Sequence, residues 1–235
     1  MMNSKSIAAK TTAICASLVA TSALALAASP ARAFRFTTNY TAALSGDDKA
    51  KGDIWLKSVT LENGEVISDF AVVKSAKIVS NDLYTGGNTG AASADLGDKA
   101  TVGLKKENVG EAGVVAALGN LNLNSIIDTE DSGSFAMNLF FDTALDNLFV
   151  WERGMNSKLK VQALDANGNA IGTQLFINSN DAKQNNGQGA NGWSYAGYDI
   201  DTQEIYGAQQ VASLGISMAD FGLDAPIMGV RFISE

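Results

Sequence analysis

The chain of 235 residues carries 17 lysine and arginine residues against 25 aspartate and glutamate residues, a formal net charge of −8, and it contains no histidine. Its one cysteine is Cys15. These absences exclude Ser-His and Cys-His catalysis, zinc sites built from histidine and cysteine, and haem held by histidine. Carboxylate chemistry and ions with oxygen ligands, such as calcium, stay available.

The first 33 residues have the layout of a secretory signal peptide. Lys5 and Lys10 lie in a polar start, residues 11–28 are rich in Ala, Leu and Val, and Ala31-Arg32-Ala33 has the small-x-small pattern of a cleavage site. We therefore predict export and cleavage after Ala33, which would also remove Cys15. The alternative is an N-terminal membrane anchor, which the many Ala, Thr and Ser residues of the apolar stretch disfavour.

The remaining chain, residues 34–235, is predicted to be a single secreted or cell-surface domain. Loss of residues 1–33 would leave 14 basic against 25 acidic residues, a net charge of −11. That charge opposes binding to nucleic acid and to anionic lipid surfaces. Nothing after Ala33 has the length and apolar character of a transmembrane segment. A separate domain over residues 34 to about 100 is the alternative, although no linker composition supports it.

The first half of this region is predicted to contain a hairpin, one short helix and a long loop. Residues 54–61 and 65–73 flank the turn Glu62-Asn63-Gly64 and predict a hairpin. Residues 107–118 have near-helical spacing of apolar residues, weakened by two interior glycines, and predict one short helix. Long Asn- and Gly-rich loops are predicted at residues 81–99 and 178–191, and loops of that length are either functional or mobile.

The second half of the chain shows the clearest strand patterns. Residues 133–141 alternate, so Phe135, Met137, Leu139 and Phe141 share one face, whereas residues 148–151 are apolar on both faces, as in a central strand. Asn-Gly in the turn at residues 165–169 predicts a hairpin of residues 158–164 and 170–177. Two more strands are predicted at residues 208–218 and 227–233. Together these patterns predict an all-β sandwich with a jelly-roll-like arrangement.

Trp151-Glu152-Arg153 is the most distinctive run, and with Trp193 it forms the candidate ligand-binding set. An aromatic ring, a carboxylate and a guanidinium at a strand end can bind sugars by stacking and paired hydrogen bonds. The alternative is that Trp151 is buried and that the two charges are tied to neighbouring strands or turns.

Calcium is the metal that the composition favours. Asp128, Glu130, Asp131 and Asp165 are the candidate ligands, because acidic residues in loops supply the oxygen atoms that calcium prefers. Ordinary turn residues and hydrated edge charges are the alternative interpretation. No cofactor is required, and a calcium ion would act on structure.

Two further patterns indicate less. Residues 187–192, Gly-Gln-Gly-Ala-Asn-Gly, match a dinucleotide glycine pattern, but a strand pattern follows them where the helix of that fingerprint is needed. Asp199 and Asp201 should lie on one face of a strand at roughly 7 Å. That separation suits the carboxylate pair of a glycosidase, but also any two strand residues spaced by two.

Four runs resemble a cyanobacterial exosortase-dependent (PEP-CTERM-associated) surface protein family, namely residues 127–135, 148–157, 196–202 and 214–222. The resemblance implies export and a surface or matrix role, and it carries no catalytic residue. Such proteins usually end in a Pro-Glu-Pro sorting tail, an apolar span and a basic end, none of which precedes Glu235. We expect either a truncated chain or a protein that is released.

The leading hypothesis is therefore an exported, non-enzymatic protein of the cell surface or extracellular matrix. A secreted carbohydrate-binding module is the alternative, and a glycoside hydrolase that uses carboxylates comes third. Expected partners are extracellular polysaccharide or other surface proteins.

Overall fold

The structure is a computed structural model that describes residues 12–16, 33–87, 89–129, 132–179 and 192–234. Most of the predicted signal peptide and most of the loop at 178–191 lie outside this part. The elements, in chain order, are β1 (Thr12–Ala16), β2 (Phe36–Ala42), β3 (Ile54–Leu61), β4 (Val66–Ile67), β5 (Val73–Asn81), β6 (Ser93–Leu96), α1 (Glu111–Leu118), β7 (Ser125–Thr129), β8 (Phe135–Leu145), β9 (Asn147–Arg153), β10 (Lys158–Leu164), β11 (Ala170–Asn178), β12 (Ser194–Thr202), β13 (Ile205–Ser217) and β14 (Ile227–Ser234).

These strands form three antiparallel sheets. The central sheet has the order β12-β13-β9-β1-β7-β6, the outer sheet β11-β10-β14-β8-β5, and the small sheet β2-β3-β4. The prediction of an all-β sandwich with one short helix is confirmed, whereas the small third sheet was not predicted. The jelly-roll-like arrangement stays a prediction.

The central sheet is buried on both faces, and β9 shows this most directly. Leu148 and Val150 belong to a core shared with the outer sheet. Phe149 and Trp151 belong to a second core shared with the small sheet. Because successive strand residues point to opposite faces, a segment between two cores is expected to be apolar on both faces, as residues 148–151 are. The interpretation of residues 148–151 as a central strand is confirmed.

The alternation in β8 is also confirmed. Its odd-numbered residues Phe135, Met137, Leu139 and Phe141 are all buried in the core between the central and outer sheets. Opposite them on the strand, Asn138 is buried too and accepts a hydrogen bond of 2.7 Å from the Arg231 Nε–H of β14. β8 lies inside the outer sheet, paired with β14 on one side and β5 on the other, and its buried Asn138 has a hydrogen-bond partner there.

The hairpin of β10 and β11 follows the predicted register, with Leu164 opposite Ala170. Gly168 in the turn has φ +82°, a conformation that glycine adopts without steric cost. The 54–73 hairpin is only partly as predicted, since β4 pairs with β3 over two residues and the chain then crosses to the outer sheet as β5. Exposed Ser68 and Asp69 occupy this crossing, where no ladder continues.

Two boundaries differ from the sequence prediction for local reasons. Helix α1 begins at Glu111 rather than residue 107, because Asn108 has φ +48° and Gly110 is extended. Within the helix, a Cβ at Gly113 would lie 2.1 Å from Val109 Cγ2, so the glycine is required by close packing. The loop predicted at 81–99 contains β6, whose four residues are too few for a periodic signal.

Strand β1 comes from the segment predicted to be a signal peptide. Ala13 pairs with Asp128 of β7 on one side and with Arg153 of β9 on the other, so β1 fills the centre of the central sheet. Cleavage after Ala33 would separate these residues from the chain and expose the facing edges of β7 and β9. Among the described residues, no helix has the length and hydropathy needed to cross a membrane.

Candidate functional site

Trp151 is fully buried and holds the small sheet against the central sheet. Its indole N–H donates to Thr38 Oγ1 of β2 at 3.0 Å, and its ring meets that of Phe36 edge-on at 5.4 Å between centroids. Aromatic pairs prefer this geometry, and a buried indole N–H needs such a partner. With an exposed fraction of 0%, the ring offers no face on which a sugar could stack.

Arg153, two residues along β9 on the same face, is buried in a charged cluster. One Nη donates to Asp95 at 3.2 Å and to Thr202 Oγ1 at 2.9 Å, and the other donates to Asp128. Asp95 and Asp128 are themselves buried, in β6 and β7. We call Arg153, Asp95, Asp128, Thr202 and the nearby Glu204 the arginine cluster. It joins four strands of the central sheet through one guanidinium, the side chain best suited to binding two carboxylates.

Glu204 brings a third carboxylate to this cluster from the turn between β12 and β13. Oxygen atoms of Glu204, Asp95 and Asp128 all lie within 4.8 Å of one another. Desolvation and the charges of Asp95, Asp128 and Glu107 raise the pKa of Glu204 to about 8, whereas Arg153 opposes the rise. Since Glu204 is exposed at its turn, we consider the neighbouring carboxylates the stronger physical cause.

Glu152 points away from this cluster, towards the core shared with the outer sheet. It is fully buried and accepts a hydrogen bond from the Ser157 hydroxyl. Ser157 N–H in turn donates to Ser179 Oγ at 2.7 Å, so the carboxylate belongs to a small network at the end of β11. Burial raises the pKa of Glu152 to about 7, although the hydroxyls of Ser157 and Ser179 lower it. Its position is therefore inside the fold rather than on a binding surface.

Trp193, the remaining candidate for ligand binding, is 1% exposed and packs in the core between the central and outer sheets. It lines an apolar cavity of about 260 Å³ together with Leu175, Leu214 and Ile216. All four residues predicted from sequence as a ligand-binding set are thus buried, and the structure spreads them over two cores.

Of the predicted metal ligands, the structure describes Asp128 and Asp165, and these two have different partners. Asp128 lies in the arginine cluster with Asp95 and Glu204, which sequence reasoning missed. Asp165 accepts N–H bonds of 2.9 and 2.8 Å from Asn167 and Asn169 in its hairpin turn. These bonds, with the Asn169 side-chain bond first, lower the pKa of Asp165. Glu130 and Asp131 lie outside the described residues. The four-residue segment Ser93-Ala94-Asp95-Leu96 has no periodic apolar pattern, so no sequence signal indicated that Asp95 is buried.

Asp199 and Asp201 lie on one side of β12, with buried Ile200 between them, as the alternation predicts. Each already has a partner. Asp199 Oδ1 accepts a 2.9 Å hydrogen bond from the Tyr195 hydroxyl, and Asp201 lies 3.8 Å from Lys51 Nζ. Both carboxylates can therefore act as positioning groups for neighbouring side chains. The glycine pattern at 187–192 lies almost wholly outside the described residues.

An open cleft lies between β2 and β12, and we call it the tyrosine cleft. It has a volume of about 470 Å³ and is lined by Arg35, Thr37, Thr38, Tyr40, Thr60, Glu62, Ser194, Tyr195 and Gly197, among others. Tyr40 donates its hydroxyl hydrogen to the Gly197 carbonyl at 2.7 Å and accepts a 2.9 Å bond from Lys49 Nζ. This volume lies within the range of small-ligand sites. Hydroxyl-bearing side chains line the cleft together with apolar Phe36, Leu61 and Ala196.

No family model, no curated protein and no solved structure matches the chain.

Proposed function

We propose that this chain is an exported, non-enzymatic protein of the cell surface or extracellular matrix, which acts through binding. The observation that carries the proposal is that the most distinctive charged residues have a structural role. Glu152 and Arg153 are buried and hydrogen-bonded within the fold, where they stabilise strand contacts. The open tyrosine cleft, in contrast, is lined mainly by hydroxyl and aromatic groups. Groups of this kind bind ligands well and supply little acid–base chemistry near neutral pH.

Export is supported by the residue pattern of positions 1–33. The resemblance to exosortase-dependent surface proteins supports the same location. The experiment is expression of the full chain in a bacterial host, followed by fractionation of medium, envelope and cytoplasm. Recovery outside the cytoplasm supports the proposal. Retention in the cytoplasm, with export of a control protein intact, would overturn it.

A secreted carbohydrate-binding module is the second candidate, and the tyrosine cleft is the observation that favours it. Tyr195 is 38% exposed and lines the cleft. Tyrosine combines a flat apolar face with a polar end, which suits the alternating C–H and O–H groups of a sugar. The two candidates are compatible, since a matrix protein can be retained by binding polysaccharide.

A glycoside hydrolase is the third candidate, and it would depend on Asp199 and Asp201. A hydrolase of this kind needs one carboxylic acid and one carboxylate on opposite sides of the scissile bond. Asp199 instead accepts a bond from Tyr195, and Asp201 faces Lys51. Turnover of chromogenic glycosides that is lost in Asp199→Asn would establish this candidate, and we expect none.

Calcium remains a proposal that the ligand chemistry supports. Asp95, Asp128 and Glu204 offer carboxylate oxygens within 4.8 Å of one another. Arg153 already binds two of these groups, and Lys105 Nζ lies 3.8 Å from Asp95, so an ion would compete with two cations. Thermal melting in millimolar calcium, in magnesium and in chelator tests this. A rise in melting temperature with calcium alone supports the ion, and equal values in all three remove it.

A further inference from the structure

The tyrosine cleft lies between two edge strands, β2 of the small sheet and β12 of the central sheet. From this site we infer a specific ligand class: the cleft binds a neutral polysaccharide, with Tyr195 as the stacking platform. The inference deepens the proposed function and rests on it for the location of the ligand. It goes further in naming the residues that bind and the charge of the polymer.

Tyr195 has the properties of a fixed platform. The residue is 38% exposed, and its hydroxyl donates to Asp199 Oδ1 at 2.9 Å, which holds the phenol at its far end. Burial and the Asp199 carboxylate raise the pKa of Tyr195, so the hydroxyl keeps its proton and the bond persists at ordinary pH. A ring that is already oriented loses less conformational freedom when a ligand binds.

The second wall of the cleft is also held in place. Tyr40 is bound through its hydroxyl to the Gly197 carbonyl, and its ring lies 5.2 Å from that of Tyr198, between centroids. Around it, Thr37, Thr60 and Ser194 line the cleft with hydroxyl-bearing side chains. Hydroxyls both donate and accept, so they can match the mixed hydrogen bonds of sugar hydroxyls.

The charges of the cleft favour a neutral polymer over an anionic one. Arg35 and Glu62 line it as one cation and one anion, so there is no excess of positive charge. The whole chain has a net charge of −8, which would repel a uronate or sulfated polymer at a distance.

An extended polypeptide could instead pair with an exposed strand edge. The irregular backbone of both edge strands disfavours this. The pairing of β12 with β13 shifts register between Tyr195 and Asp199, and that of β2 with β3 shifts between Asn39 and Tyr40. Gly197, with φ +86°, has its carbonyl taken by Tyr40. Bulges beside an edge interrupt the regular row of N–H and C=O groups that an added strand requires.

The experiment is affinity electrophoresis of the full chain in gels that contain dextran, xyloglucan or hydroxyethylcellulose, with alginate as the anionic polymer. We expect at least one neutral polymer to retard the protein. Tyr195→Ala should weaken that binding about tenfold, because the stacking platform is lost. Phe176→Ala is the matched control, since Phe176 is 56% exposed on β11 and lies away from the cleft lining. Its binding should equal that of the wild type.

A variant at Asp199 separates orientation from simple contact. Asp199→Ala keeps the ring but removes its hydrogen bond, so binding should fall by less than in Tyr195→Ala. Asp199→Asn keeps an acceptor oxygen for the Tyr195 hydroxyl, so this variant should bind the polymer as the wild type does. Thermal melting of each variant checks that the fold is retained.

The inference is overturned if no neutral polymer binds, if only alginate binds, or if Tyr195→Ala binds as the wild type does. An extended polypeptide that binds the wild type and not Tyr195→Ala, without any polysaccharide binding, would also overturn it. A protein that is exported but binds no polymer refutes this inference alone. Polymer binding by a chain that stays in the cytoplasm refutes the proposed function and leaves the cleft assignment standing.

Discussion

Glu152 and Arg153 are consecutive residues of β9, yet their side chains lie on opposite faces of the central sheet. Glu152 joins Ser157 on the side of the outer sheet, whereas Arg153 joins Asp95 and Asp128 on the other side. Strand geometry imposes this separation, because successive side chains point to opposite faces. A sequence run that looks like one polar motif is therefore two separate buried groups, and each is hydrogen-bonded to a different part of the chain.

The arginine cluster leads to a first prediction. Arg153→Met would leave the buried carboxylates of Asp95 and Asp128 without their guanidinium, so the free energy of unfolding should fall by about 3–5 kcal/mol. Equilibrium urea denaturation measures this. Arg231→Met is the matched control, since Arg231 is half-buried and bonds the neutral Asn138. Arg231→Met should lower the free energy of unfolding by less than Arg153→Met does.

Neutralising the carboxylates tests whether the unpaired buried charges cause the loss of stability. Arg153→Met combined with Asp95→Asn and Asp128→Asn should recover part of the lost stability, because the two buried charges that faced the guanidinium are removed. A single Arg153→Met variant within about 1 kcal/mol of the wild type would show that the ion pairs do not stabilise the fold.

The contact of Trp151 with β2 leads to a second prediction. Trp151→Ala removes a fully buried ring and leaves Thr38 without its donor, so unfolding free energy should drop by about 3–5 kcal/mol. The same denaturation experiment measures it. Trp55→Ala, at a half-buried position of β3, serves for comparison and should cost less. If Trp151→Ala lowers the free energy of unfolding by less than about 1 kcal/mol, the small sheet does not depend on Trp151.

Raised carboxyl pKa values lead to a third prediction, on pH. Glu204 and Glu152 have an ordinary pKa of 4.5 when unfolded and pKa values of about 8 and about 7 when folded. Between these values the folded state binds more protons than the unfolded state, so stability falls as pH rises from about 4.5 to about 8. The melting temperature of the wild type should therefore be lower at the alkaline end of this window than at the acidic end.

Glu204→Gln isolates the arginine cluster in the same measurement. The variant cannot ionise at this position, so its melting temperature should fall less across the window and exceed that of the wild type near pH 8. Glu65→Gln, at an exposed turn, should behave like the wild type. A Glu204→Gln profile that overlays the wild-type profile would exclude repulsion within the cluster.

The residue pattern of a short segment predicted the features of the fold that depend on that segment alone. Alternation placed Phe135, Met137, Leu139 and Phe141 on one buried face, and the Asn-Gly turn placed β10 beside β11. Pairings between distant segments carry no such signal. The contact of Phe36 and Thr38 with Trp151 spans more than a hundred residues, so nothing near any of these residues indicates a third sheet.

The candidate site was harder to predict for the same reason. Trp151, Glu152 and Arg153 were recognised as distinctive, but their burial depends on strands that approach from elsewhere in the chain. The tyrosine cleft combines Tyr40 and Tyr195, which are far apart in sequence and each ordinary in its own strand. Only the meeting of β2 with β12 makes them neighbours.

Residues 12–16 form strand β1 between β7 and β9, and they also belong to the predicted signal peptide. Export with cleavage after Ala33 would therefore remove this strand from the sheet. The measurement that tests the central claim most directly is therefore intact-mass spectrometry of the protein recovered from outside the expressing cells. We predict a chain that begins at Phe34, as expected for cleavage after the Ala31-Arg32-Ala33 pattern. Recovered protein that still begins at Met1 would contradict the account.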